Sequence, residues 1–359
     1  MENIEDSNLI GVINSTFKGS TYTTTFYAAN KSKGKELLAT DDEFFNNQSP
    51  FDRFARINIS DGLIKDMDEL KSLYVSYVQN QVSSWTEEEI SCLKTIIRNM
   101  NFKYKLLKNF KLPKKIYIVK TTGHEEGAAA YTRQFDTIVL PENMIASLSD
   151  FNSSGDPLHP AGNTEYLESI ITHESFHIFS KNCFIEDIGH LSNLYKNIGY
   201  QFTGNTVILP DVKWPIGVVS SEQDSMSSFI ITNPDSPTLK TYMTLQNKEN
   251  EDVHLMPLLL ASSKYNGGAF FEYLKWYTIE IEKKDGKWVP KLDVDNYPIT
   301  HLMSENSDLM NQYLEKVGYN LTNEIFQGDE VLAQTFVNII EQNNPSQWVL
   351  SDMLIELST

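Results

Sequence analysis

Cysteine is scarce in this chain: Cys92 and Cys183 are the only two in 359 residues. Two thiols give no disulfide framework, and that usage suits a reducing compartment. Long hydrophobic runs are missing as well. No stretch of about eighteen apolar residues occurs, which argues against a membrane-spanning helix. Positive charge is in deficit, with 30 Lys and Arg against 48 Asp and Glu and a formal net charge of −18. Such a chain is a poor ligand for nucleic acid or an anionic membrane, so neither is expected as a partner. The opening residues Met1-Glu2-Asn3-Ile4-Glu5-Asp6 lack the apolar region of a secretory signal. A cytoplasmic location is therefore the expectation, with secretion by a route lacking such a signal left open. Internal repeats and low-complexity runs are also absent.

What is present is His173-Glu174-Ser175-Phe176-His177, an H-E-x-x-H motif between Leu167-Glu168-Ser169-Ile170-Ile171-Thr172 and Ile178-Phe179. Residues four apart on a helix share a face, so both imidazoles can grip one ion. Glu174 sits one step round, where its carboxylate can act as a base toward water on that ion without being a ligand. This donor set points to a hydrolytic zinc site. The bland alternative is a surface helix with two solvated histidines. The apolar flanks speak for a buried helix instead, and buried histidines and glutamates need partners. Gly162-Asn163-Thr164 offers a cap, and Glu165 and Glu168 favour the first turn.

Periodicity and punctuation divide the rest. Tyr22-Thr23-Thr24-Thr25-Phe26-Tyr27 reads as a strand, and residues 62–81 as a helix. A second helix starts at Ser84-Trp85-Thr86-Glu87, with Ser84 or Thr86 as cap and Ile90, Leu93, Ile96 and Ile97 as its apolar positions. Lys115-Ile116-Tyr117-Ile118-Val119-Lys120 is a strand. From 127 to 141 a strand, a turn near Gln134-Phe135-Asp136 and a second strand make a hairpin. A polar loop over 149–162 leads into the motif helix, and 188–198 is another short helix. Residues 205–285 read as strands and hairpins, with turns at Asn233-Pro234-Asp235 and Lys284-Asp285-Gly286. Helices are expected at 304–317, 329–341 and 345–357.

These pieces resemble the zincin metallopeptidases of the glutamate type. The resemblance is carried by the H-E-x-x-H helix and by the upstream segment Ala129-Ala130-Tyr131 with Thr137-Ile138-Val139-Leu140-Pro141. It is also carried by Asp329-Glu330-Val331-Leu332-Ala333-Gln334-Thr335-Phe336 near the C-terminus. It implies that Ala129, Ala130 and Tyr131 belong to an edge strand that pairs with substrate backbone. It also implies that Glu330 is the third zinc ligand. Two positions depart from the pattern: Ala129 stands where Asn is frequent, and Gln334 where an Asp orients a histidine. The chain is similar, too, to a group of bacterial H-E-x-x-H proteins through the segment from Thr121 to Arg133, with its Thr121-Thr122-Gly123 and Ala129-Ala130-Tyr131-Thr132-Arg133, and through Ile231-Thr232-Asn233-Pro234-Asp235-Ser236-Pro237.

A catalytic zinc ion takes three protein ligands and keeps one open position. Glu330 has the best local context for the third, while Cys183, or Glu186, Asp187 and His190, remain alternatives. Tyr242 and Tyr319, with His254 and His301 beside them, are candidate donors to the oxyanion. Glu125 and Glu126 are either a solvated turn or a recognition point for a substrate amine, and Arg133 either surface or a carboxylate fork.

The fold expected is α+β: an N-terminal mixed region (1–112), a zincin-like core with a short twisted sheet over the motif helix (113–200), a β-rich insertion (201–300) and a C-terminal helical part supplying Glu330 (301–359). The function expected is zinc-dependent hydrolysis of a peptide or protein, with Glu174 as general base. A degenerate zincin that only binds zinc or a partner, and a non-peptide hydrolase, are the alternatives.

Overall fold

The computed structural model describes residues 7–40, 42–60, 63–64, 66–146, 162–214, 225–305, 307–317, 326–341, 353 and 357. Among them the chain is mixed α and β, with ten α-helices and two sheets. It divides into two compact units. The first comprises Met1–Asp42, Val75–Leu191 and Ala333–Thr359, and the second Glu43–Tyr74 and Ser192–Leu332.

In the first unit β1 (Ser7–Phe17) and β2 (Ser20–Ala29) form an antiparallel hairpin. Its turn residues Lys18 and Gly19 have φ of 48° and 77°, as a two-residue hairpin turn of this hand requires. Helix α1 (Lys31–Ala39) is capped by Asn30, which accepts from the Lys33 N–H. Helices α2 (Glu43–Asn47) and α3 (Pro50–Arg56) belong to the second unit. Helix α4 (Met67–Gln81), shared between the units, begins later than residue 62 because Asp66 caps it, accepting from the Asp68 and Glu69 N–H groups. Helix α5 (Glu87–Lys103) opens on a capping box between Thr86 and Glu89, so Thr86 and not Ser84 is its cap.

Strands β3 (Lys115–Thr121), β4 (Tyr131–Arg133) and β5 (Thr137–Pro141) complete a sheet of order β1-β2-β3-β5-β4. The three central strands run parallel, while β1 and β4 are antiparallel to their neighbours. The hairpin expected around 134–136 is present, and its first strand is a sheet edge. Short α6 (Glu142–Ala146) follows, then the 25-residue α7 (Gly162–Glu186). Gly162 to Thr164 are its first residues and not its cap, and residues 149–161 of the expected loop lie outside those described. Glu168 lies beyond the first turn and is bound by Lys103 at 2.6 Å and Asn99 at 3.2 Å.

The second unit holds most of α8 (Ile188–Asn197) and an antiparallel sheet. Its strands are β6 (Tyr200–Phe202), β7 (Thr241–Gln246), β8 (Asp252–Ala261), β9 (Leu274–Lys284) and β10 (Lys287–Pro290), with β11 (Thr300–Leu302) also on β9. The β9–β10 turn places Asp285 and Gly286 at φ of 50° and 80°, a two-residue hairpin turn read correctly from sequence. Of the strands expected from residue 205, the first among the described residues begins at Thr241. Before it, among the described residues, isolated bridges such as Ile230 to Leu260 and side chains hold the backbone in place of ladders. Ser49 Oγ donates to the Ile230 carbonyl, the Thr232 N–H donates to Asp52 Oδ2 at 2.9 Å, and Arg56 donates to the Thr232 carbonyl at 2.8 Å. Helix α9 (Asp308–Val317) starts after Ser307, whose hydroxyl accepts from the Met310 N–H, and not at 304. Helix α10 (Gly328–Ile340) passes from this unit into the first after Leu332. Of the helix expected at 345–357, only Met353 and Leu357 are described, and both are helical and buried.

Candidate metal centre

Helix α7 is buried on nearly every side where the motif sits. From Ile171 to Ser180, His173 alone is not buried. A helix buried on every side needs neighbours on every side. Phe179 stacks on Phe110 with ring centroids 4.6 Å apart, and Phe176 meets Phe336 of α10 at 5.4 Å. On the sheet side, Lys181 Nζ donates to Thr132 Oγ1 at 2.6 Å and Asn182 Nδ2 to the Phe135 carbonyl at 2.8 Å. Edge strand β4 and its turn are thereby fastened to the motif helix.

The imidazoles of His173 and His177 lie with ring centroids 4.8 Å apart, and nitrogens of the two rings come within the same distance. Two nitrogens sharing one zinc ion at about 2.1 Å each can be no more than about 4.2 Å apart, a span comparable with the 4.8 Å within which these nitrogens fall. A carboxylate oxygen of Glu174 also lies within 4.8 Å of a His177 nitrogen. Glu174 is 4 % exposed and His177 fully buried, an environment in which electrostatic interactions are strong. Neutral imidazoles with a carboxylate suit zinc by donor chemistry.

Glu330 lies in the first turn of α10 and is buried. Its Oε1 accepts from Asn233 Nδ2 at 2.6 Å, and the same amide donates to Gln327 Oε1 at 2.7 Å. Nearby, Asn233 Oδ1 accepts from the Asp235 N–H, and Ser236 donates to Asp329 Oδ2. Read from sequence as a turn alone, Asn233-Pro234-Asp235 is a turn whose side chains join a buried polar cluster. No local pattern gave that away, because Asn233 and Glu330 are 97 residues apart.

The alternative ligands are engaged elsewhere. Cys183 Sγ faces the Asp187 carbonyl, and burial pushes its thiol up to about 12, away from the thiolate that binds metal. Glu186 pairs with Lys111 at 2.6 Å and Asp187 with Lys18 at 2.5 Å. His190 Nε2 lies 3.0 Å from the Asn109 carbonyl.

Tyr242 donates its hydroxyl to Gln201 Oε1 at 3.1 Å and packs against His254 and Trp288. Burial raises the Tyr242 phenol and lowers the His254 imidazole. His301 pairs with Glu280 at 3.1 Å. Tyr319 lies outside the described residues. Ala129 and Ala130 precede β4, and Tyr131 is its first residue. The Tyr131 ring is buried with its hydroxyl on Glu125 Oε1.

Glu125 and Glu126 do not form a solvated turn. Both are buried, and burial raises the Glu125 carboxyl against the opposing hydroxyls of Thr121 and Tyr131. Arg133 is neither a surface residue nor a fork for substrate. Fully buried, it donates to Asp42 Oδ2 at 2.7 Å and to the Leu38 and Thr40 carbonyls at the end of α1.

No protein-family model matches this chain, and neither a curated protein nor a solved structure matches it. Among the described residues no helix is long and apolar enough to cross a membrane.

Proposed function

We propose that this chain is a zinc-dependent peptidase of the zincin type, in which His173, His177 and Glu330 hold the ion and Glu174 is the general base. The observation that carries the reading is the pair of clustered imidazoles on one buried helix, with the Glu174 carboxylate beside the second. A structural site has no need of that carboxylate. The strand β4 fastened alongside supports a peptide substrate, since an edge strand offers main-chain pairing to an extended chain. Glu330 is supported by its chemistry: it is a buried carboxylate in the first turn of α10, and it completes a His, His, Glu donor set of the kind zinc takes.

Bound at this site, zinc supplies Lewis acidity toward a carbonyl and makes its water more acidic. Glu174 takes a proton from the attacking water and returns it to the departing amine. Tyr242 and Tyr319 remain the candidate donors to the oxyanion.

A non-catalytic zinc protein is the second reading, favoured by Ala129 and by Gln334. The latter's amide faces Asn338 Oδ1 at 3.5 Å. Glu174→Gln separates the two. It is expected to retain one zinc per chain while cleavage of a quenched-fluorescence peptide library falls about 10²–10⁴-fold. A variant as active as the parent removes Glu174 as base. A zinc-loaded parent that cleaves nothing in the library favours the second reading.

A further inference from the structure

We propose that Asn233 is the positioning residue for the metal-ligating carboxylate Glu330; this rests on the reading above that Glu330 is a ligand. Asn233 is only 8 % exposed, and all its hydrogen-bonding functions are directed. One Nδ2 proton points to Glu330 Oε1 and another to Gln327 Oε1, while Oδ1 receives the Asp235 N–H at 2.9 Å. With both donors and the acceptor used, the amide has one orientation.

The backbone beneath it is fixed as firmly. Thr232, the preceding residue, receives Arg56 at its carbonyl and gives its N–H to Asp52, both buried side chains of α3. The Ile231 N–H is bonded to the Leu259 carbonyl of β8, and Ser236 ties the segment to Asp329. Arg56 is in turn sandwiched between Phe44 and Phe270, with its guanidinium carbon 5.2 and 4.7 Å from the ring centroids. Asn233 is thus a rigid donor aimed at one carboxylate oxygen.

The chemistry suits that task. A neutral amide orients a carboxylate without cancelling its charge, as Arg or Lys would, so Glu330 keeps its affinity for a cation. Groups that orient a ligand in this way typically contribute 10–100-fold to metal affinity.

The test is zinc affinity of the full-length chain by chelator competition, with the Co(II) absorption spectrum as a readout of coordination. Asn233→Ala and Asn233→Asp are compared with Glu330→Ala and with Asn233→Ala in the Glu330→Ala background. Asn233→Asp keeps the acceptor for the Asp235 N–H and so the turn, while it replaces the donor to Glu330 by a second carboxylate. Expected is a loss of about 10–100-fold in both Asn233 variants, with an altered Co(II) spectrum. No additional loss is expected when Glu330 is already Ala. Wild-type affinity in both Asn233 variants, with Glu330→Ala weakened, overturns the positioning role and leaves the ligand intact. Wild-type affinity in Glu330→Ala overturns the ligand and this inference together. An Asn233→Ala loss of equal size in both backgrounds marks a purely structural residue and also overturns it.

Discussion

At the scale of single residues, the motif and the clamp that Arg133 forms on Asp42 and the end of α1 differ as sequence signals. His173, Glu174 and His177 are legible because helical geometry converts a spacing of four into a shared face. Arg133 is not, because its partner Asp42 lies 91 residues away. Its sequence context suggested surface or substrate, and the structure buries it against the C-terminal carbonyls of α1. Arg133→Ala leaves Asp42 without its guanidinium in a largely buried place, and breaking such a pair costs about 3–5 kcal/mol. Arg133→Lys restores the charge but not three divergent donors, so it recovers only part of that loss. Urea unfolding of the metal-free protein measures both. A loss below about 1 kcal/mol for Arg133→Ala, the level of an exposed pair, rejects the clamp. Asn233 follows the same rule: its turn-forming character was readable, its second use of the side chain was not.

At the scale of elements, strands and helices with strong local signals fall where the sequence puts them. The capping box at Thr86, the hairpin at 134–136 and the Asp285-Gly286 turn are examples. Residues 205–214 and 225–240 are rich in β-branched and aromatic side chains, yet they form isolated bridges and no ladder. There Ser49, Asp52 and Arg56, distant in sequence, bond the backbone at Ile230 and Thr232, and composition does not encode such partners. The link between β3 and β4 carries a sharper signal in Gly123, at φ 84°. A Cβ there would come 2.7 Å from Pro141 Cβ and 3.2 Å from the Ala128 backbone. Gly123→Ala therefore adds a clash to an unfavourable backbone conformation. It is expected to cost more than the roughly 1 kcal/mol usual for Ala at positive φ. Because the same turn aims β4, hydrogen exchange at Tyr131 and Thr132 should also accelerate. Unchanged exchange and an unchanged urea midpoint would show that the turn adapts freely.

At the scale of the whole molecule, the acidic balance and the proposed centre make opposing predictions about added metal. A net charge of −18 attracts any divalent cation loosely, and that attraction is screened as ionic strength rises. A built site stabilises the native state by mass action, by about 2.7 kcal/mol at a free zinc concentration one hundred times Kd. For units of this size that corresponds to a rise in Tm of about 5–10 °C. The rise should survive 1 M salt, because the motif helix is buried, and disappear in His173→Ala combined with His177→Ala. Magnesium at the same concentration should not reproduce it, since imidazole donors favour zinc over a hard oxygen-seeking ion. Differential scanning calorimetry with and without chelator reads all of these. A stabilisation that magnesium matches, that salt abolishes, or that the double variant retains would assign it to the charge of the surface and not to the paired imidazoles.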